Sequence, residues 1–316
     1  MDLTRFSPKG FVTGVRRVPS RFRRNIADYR FYAYLAVLGP GIISASSGNE
    51  VSGIATYSTA GAEYGYTLLW TFIPMTIFFL VAQEMCVRMG VVTGQGLADL
   101  IREQFGVRWT AIVMIALLLA NSGIIIAEFV GIAQASELFG MSRYISVPIT
   151  AIVIWWLVVR GTPKRIEQIF LLMALVFVIY IFAAFMARPD WARVGREFVT
   201  PSFKFETGYL FMVMALIGTT ITPFMQLYIQ SSVVEKRLDE DDLNMARADA
   251  TLGVMFANVI AVFIVIATAA TLHPRGIEIN TAADAAQAKG QYRLEAKATT
   301  STGRIIVGVA PLKVEA

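Results

Sequence analysis

Apolar runs of about twenty residues recur along this chain of 316 residues, and no other feature limits its fold as severely. A helix rising ~1.5 Å per residue needs about that length to cross a hydrocarbon core ~30 Å thick. Inside the core each backbone N–H and C=O must find a partner within the protein, so such runs become spanning helices. Seven are read, at about residues 31–61, 66–89, 109–139, 144–159, 166–187, 208–234 and 248–272, the first and sixth interrupted. Composition agrees: 56% of residues are hydrophobic and 16% charged, against ~25% charged in a soluble domain. The expected fold is all-α, a polytopic membrane bundle. Residues 1–30 form a basic cytoplasmic segment, residues 31–272 the membrane domain, and residues 273–316 an extracytoplasmic loop and a poorly ordered tail.

Eight of the 28 basic residues precede the first span, from Arg5 to Arg30. With Arg88, Arg102, Arg108, Arg160, Lys164, Arg165, Lys236 and Arg237 they fall on one side, which the positive-inside rule makes the cytoplasm. The N-terminus is therefore expected in the cytoplasm and the protein in the cell (inner) membrane, with no cleaved signal peptide. The connection 188–206 holds four basic and three acidic residues and weakens the bias without reversing it. Residues 96–105 read as a short interfacial helix. Cys86 is the one cysteine and His273 the one histidine, which excludes an internal disulfide and a Cys/His metal cluster. No His-Glu-x-x-His or Gly-x-Ser-x-Gly motif occurs, and an enzyme is not expected.

Both interrupted spans are informative. The first reads Gly39-Pro40-Gly41, then Ser44-Ala45-Ser46-Ser47-Gly48-Asn49-Glu50-Val51-Ser52-Gly53, a run of poor helix formers around a carboxylate near mid-membrane depth. A charge there costs at least ~2.5–3.5 kcal/mol on insertion scales, so it is normally paired or lines a polar cavity. A bound cation would satisfy it together with the released backbone. The other reading is that Glu50 caps the restarting half-helix and the small residues only permit close packing. In the sixth span Gly218-Thr219-Thr220-Ile221-Thr222 runs into Pro223, which lacks a donor and clashes with the preceding turn. Its threonines either face a ligand or bond back to their own helix. The two breaks lie five spans apart. Transporters built from two inverted five-helix repeats break the first helix of each and bind substrate between the breaks, so the pair points to a transporter.

Glu50, the Asn49 amide, Thr219 and Thr222 oxygens, carbonyls and water are all hard donors, which suit Mg²⁺, Ca²⁺ or Mn²⁺. No histidine lies inside a span, which removes the commonest proton relay near neutral pH. Glu128 in the third span reads equally as a gate, part of a water path or a structural anchor. Glu84 is expected to pair with Arg88 one turn on. Asn121 and Asn258 are expected to bond between helices, and residues 239–242 to form a solvated loop.

At these residues the sequence resembles the Nramp family of divalent-metal transporters, from about Tyr34 to Leu272. The likeness is carried by Gly39-Pro40-Gly41, Ala60-Gly61-Ala62-Glu63-Tyr64-Gly65-Tyr66, Met89-Gly90-Val91-Val92-Thr93-Gly94 and Leu227-Tyr228-Ile229-Gln230-Ser231-Ser232. Where the family has Asp-Pro-Gly-Asn, this chain has Glu50-Val51-Ser52-Gly53. The family's metal-selective methionine falls on Thr222 and its span-six histidine on Gln230, and its third-span acidic pair becomes Ile125 and Glu128. The resemblance implies a metal site of Glu50, Asn49, Gly53, Thr219 and Thr222, with Glu128, Gln226 and Gln230 in gating or the pathway. The departures are similar to those of the Nramp-related magnesium transporters, which implies Mg²⁺ or Mn²⁺ uptake without proton coupling. The ion is then cargo and the bilayer a partner, and no resident cofactor or nucleic acid is expected. The family has ten or more spans and this chain seven, so a frameshift or truncation after about residue 288 is expected. A small organic solute transporter on the same scaffold, or a non-functional truncated transporter, are the rival readings.

Overall fold

A computed structural model describes residues 40–276. The basic segment 1–30, the start of the first span and the tail 277–316 lie outside the described residues. All regular structure among the described residues is helical, and six helices are long and apolar enough to cross a membrane.

The first span appears as two pieces, α1 (Pro40–Ser46) and α2 (Val51–Tyr64), joined by a single 3₁₀ turn at Ser47–Asn49. Pro40 suits a helix start because its fixed φ is helical and its missing N–H has no partner there anyway. Helix α2 stops at Gly65, whose φ of +61° an L side chain rarely adopts, and whose N–H bonds Gly61 O. Next come α3 (Phe72–Thr93), the short α4 (Leu97–Phe105) and α5 (Val107–Leu138). No residue of α4 is buried, in keeping with an interfacial helix. The fourth span is α6 (Arg143–Arg160).

The fifth span differs from its expected single helix. It is divided into α7 (Pro163–Val176) and α8 (Ile179–Met186) by a turn at Phe177 and Val178. The connection after it, read in the sequence only for its charges, contains α9 (Trp191–Val199). Asp190 Oδ1 caps that helix by accepting from Ala192 N at 3.1 Å and Arg193 N at 3.2 Å. The sixth span is α10 (Thr207–Thr220) followed by α11 (Pro223–Glu235), and the seventh is α12 (Leu243–Thr271).

Helix α12 is the axis of the bundle. It packs against α1, α2, α3 and α8, and Ile260, Ile264 and Val265 are fully buried against Tyr57, Phe72 and Leu216. Helix α5 is the opposite case. Ile112, Leu118 and Ile126 are each more than half exposed, as are Ile152 and Trp155 on α6. Apolar residues on all sides of a helix, left outside a protein core, mark a surface that faces lipid.

One expected polar pair forms but has a stronger partner elsewhere. Glu84 Oε1 lies 3.9 Å from Arg88 Nε, but Arg247 of α12 holds it by Nη2 at 2.7 Å and Nε at 2.9 Å. Sequence spacing shows only neighbours on one helix, and the stronger partner sits 163 residues away. Asn258 does bond between helices, to Thr76 Oγ1 at 2.8 Å. Asn121 has no such partner among the described residues. Asp239 caps an exposed 3₁₀ turn at Glu240–Asp242, the solvated loop expected there.

Candidate functional site

The two breaks meet. Helix α10 ends where Thr220 Oγ1 bonds back to Leu216 O at 2.7 Å, and Ile221 and Thr222 are non-helical before Pro223 opens α11. The proline therefore separates two helices and does not merely kink one. Across from it, a Cβ on Gly48 would stand 3.3 Å from Thr219 O and 3.0 Å from Met225 Cε. A side chain at this position would press on the Thr219 carbonyl, which glycine lets the Ser47–Asn49 turn approach without a shift. A Cβ on Gly53 would likewise reach within 3.3 Å of Thr219 Oγ1 and collide with the Gly48 carbonyl. Tyr57 OH and Thr220 Oγ1 share a hydrogen bond of 3.1 Å, and Ser44 Oγ donates to Met225 O at 3.0 Å. These contacts tie α1 to α11 and α2 to α10.

Glu50 occupies the joint itself, extended at φ −64° and ψ 176° between the 3₁₀ turn and α2. It stands at the capping position, yet its side chain caps nothing. The cap comes from another helix: Glu128 Oε1 of α5 accepts the Val51 N–H at 2.8 Å. Among its open readings, the structure gives Glu128 the contact of an anchor. The hydrogen bond to the Glu50 carboxylate comes from Ser52 Oγ, at 2.8 Å. Thr219 Oγ1 and Thr222 Oγ1 are buried and have no hydrogen-bond partner among the described residues. Asn49 is buried too, and its Nδ2 donates to Ala257 O of α12 at 3.3 Å.

Glu50, Asn49, Gly53, Thr219 and Thr222 are thus gathered around one pair of breaks, with Glu128 fastening its edge. Gln226 and Gln230 lie about one and two turns along α11 from Pro223. Gln226 Oε1 accepts from Cys86 Sγ of α3 at 3.6 Å, and Gln230 Nε2 donates to Gln95 O, between α3 and α4, at 2.9 Å, while Gln226 Nε2 and Gln230 Oε1 are buried and have no hydrogen-bond partner among the described residues. Among the described residues no three His, Cys, Asp or Glu side chains come together as a metal cluster. The arrangement offers one carboxylate, hydroxyls and carbonyls, a hard and sparse set that suits an ion keeping part of its water.

Sequence reasoning missed Ser44 and Gln83 beside this site, and Asp249 at the far end of α1. Gln83 Nε2 donates to Ser44 Oγ at 3.2 Å, and a buried glutamine amid the apolar run of α3 was a usable signal. Asp249 lies at the start of the last span, just after a run of charges, where an acid looks like the end of a loop.

The chain matches the natural resistance-associated macrophage protein-like (Nramp) family over residues 41–292. A divalent metal cation transporter MntH of Deinococcus radiodurans is 28% identical over 255 residues, covering 77% of this chain and 58% of that protein. Its counterpart in Latilactobacillus sakei is 30% identical over 235 residues, covering 71% of this chain and 50% of that protein. The chain thus spans little more than half the length of these relatives. A crystal structure of the Eremococcus coleocola manganese transporter, in complex with an aromatic bis-isothiourea compound, superposes with a TM-score of 0.67. It is 21% identical and covers 83% of this chain and 63% of that one, so the broken-helix fold is shared. With about four-fifths of its length matched, the chain belongs to the Nramp family.

Proposed function

We propose that this chain carries the cation site of a divalent-metal transporter, and that the ion binds where the breaks of the first and sixth spans meet. The observation that carries the reading is the division of labour between two carboxylates. Glu128 supplies the cap that the half-helix needs, so Glu50 is not spent on it. A carboxylate held at such a depth without a structural task is expensive, and the unpartnered hydroxyls of Thr219 and Thr222 at the facing break are further costs. A divalent cation offsets all three. Asn49, already tied to α12, and Gly53 shape the turn that presents Glu50. The relatives named above are divalent-metal and manganese transporters, and their names support the same class of cargo.

The oxygen-only set favours Mg²⁺ and Mn²⁺ over softer ions. Gln226 and Gln230 do not titrate, and the one histidine, His273, lies beyond the end of α12 with Nδ1 2.9 Å from Ala62 O. Uptake without proton coupling follows. The distribution of basic residues supports a cytoplasmic N-terminus and a position in the cell membrane. The test is Mg²⁺ and Mn²⁺ flux into proteoliposomes carrying the native chain or Glu50→Ala. Flux that is lost in the variant supports the site, and equal flux from both refutes it. An absence of flux from the native chain favours the non-functional reading.

A further inference from the structure

Asp249 has a position that transport, as described so far, does not use. It lies on α12, is 3% exposed, and its Oδ2 accepts the Gly41 N–H at 2.7 Å. A buried carboxylate is tolerated where charge-assisted hydrogen bonds hold it, and Gly41 stands at the far end of α1 from Glu50. The seat is tight as well as bonded. A Cβ on Gly253 would collide with the Gly41 carbonyl, and one on Gly41 would collide with the backbone of Asp249 and Ala250. The backbones of α1 and α12 therefore touch, and α1 has one register in which both the contact and the bond are made.

The other end of α1 leads through the three-residue turn Ser47–Asn49 straight into Glu50. Between the ends, Ser44 Oγ donates to Met225 O and accepts from Gln83 Nε2. Ala45 is buried against Phe79, Met225, Val254 and Ala257. Helix α1 is thus an element about 10 Å long, at ~1.5 Å per residue, fastened along its length and leading directly into the joint. The two half-helices of the first span are each held by a carboxylate from a different helix, α2 by Glu128 and α1 by Asp249. The α2 bond touches the ion site, while the α1 bond lies a helix length away.

We propose that Asp249 is the positioning residue that seats α1, and that release of its bond to Gly41 opens the cation site on the α1 side. The proposal rests on the transport reading for its purpose but not for its test. In the full chain with Cys86→Ala, Ala45→Cys reports whether α1 is seated, read by the rate of modification with a membrane-impermeant thiol reagent. Ala60→Cys on α2, also fully buried, is the control for general loosening. Asp249→Ala raises the rate at position 45 by about tenfold or more, the scale on which one charge-assisted hydrogen bond shifts a two-state equilibrium, and leaves position 60 protected. Asp249→Asn keeps an oxygen acceptor and stays within about twofold of the parent. Gly253→Ala unseats α1 by collision with the carboxylate intact, and stands in if Asp249→Ala does not fold. An unchanged rate in a folded Asp249→Ala or Gly253→Ala protein overturns the proposal. So does an equal rise with Asp249→Asn, or a rise at position 60 to match. Mg²⁺ and Mn²⁺ flux is measured on the same proteins. A labelling change in a parent that carries no flux keeps the latch and removes the transport reading.

Discussion

Replacing Glu128 and Glu50 separately by alanine should damage the protein in different ways. Loss of the Glu128 carboxylate leaves the partly buried Val51 N–H without its partner. An unsatisfied buried donor costs ~1–3 kcal/mol, which overlaps the ~0.5–2 kcal/mol found for lost N-caps. Glu128→Gln retains an oxygen acceptor and gives up only charge assistance, for roughly half that loss. Glu50→Ala removes no cap and relieves the burial of a charge, so metal-free stability stays within about 1 kcal/mol of the parent. The metal response is reversed. A cation present at 100 times its Kd stabilises a binding-competent protein by ~2.7 kcal/mol, and Glu50→Ala loses most of that. Thermal unfolding in detergent, with and without Mn²⁺, reads both effects at roughly 2–4 °C per kcal/mol for a chain of this size. Glu128→Ala should melt about 2–8 °C lower in metal-free buffer, while the native Tm should rise by about 5–10 °C on adding metal. If Glu50→Ala loses as much metal-free stability as Glu128→Ala and keeps its metal shift, the assignment is refuted and Glu50 is structural.

Three further outcomes follow from the same geometry. Gly48→Val places a side chain against Thr219 O and Met225 Cε; overpacking of ~1–3 kcal/mol should show as a lowered Tm together with loss of metal flux, and a variant that transports normally would contradict the close approach of the breaks. Thr222→Met introduces a thioether among hard oxygens, and competition assays should show Cd²⁺ or Mn²⁺ gaining on Mg²⁺; unchanged preference would place Thr222 outside the site. Arg247→Ala should cost at most ~1 kcal/mol, because its pair with Glu84 is about a third exposed, and Arg88→Ala should be silent in the same melt because its nitrogen stands 3.9 Å away.

The parts of this architecture legible in the sequence are those written in local chemistry. Apolar run length gave the spans, Ser46 to Glu50 gave the first break, and Pro223 gave the second. The pairing of those breaks followed from a rule about repeats, without any contact being visible. What stayed hidden depends on which helix faces which. Nothing local tells that Glu128 reaches Val51, 77 residues earlier, so Glu50 could be read as cap or ligand, and Glu128 as gate, water path or anchor. Nor does spacing show that Arg247 outcompetes Arg88 for Glu84. The α7–α8 interruption at Phe177 and Val178 carries no glycine or proline to announce it, and α9 was obscured because its charges looked like those of a loop.

The bonds that finish the first span come from very far along the chain. Gly41 waits for Asp249, and Asn49 for Ala257, each 208 residues later. At ~5–20 residues per second of synthesis, that gap is about 10–40 s. Throughout it Gly48, Asn49 and the Glu50 carboxylate have no α12 to lean on, and must be sheltered by water, lipid headgroups or the insertion machinery. The broken span is therefore completed only after α12 has been made, and substitutions in α12 should appear in cells as faulty insertion of that span before they appear as altered ion binding.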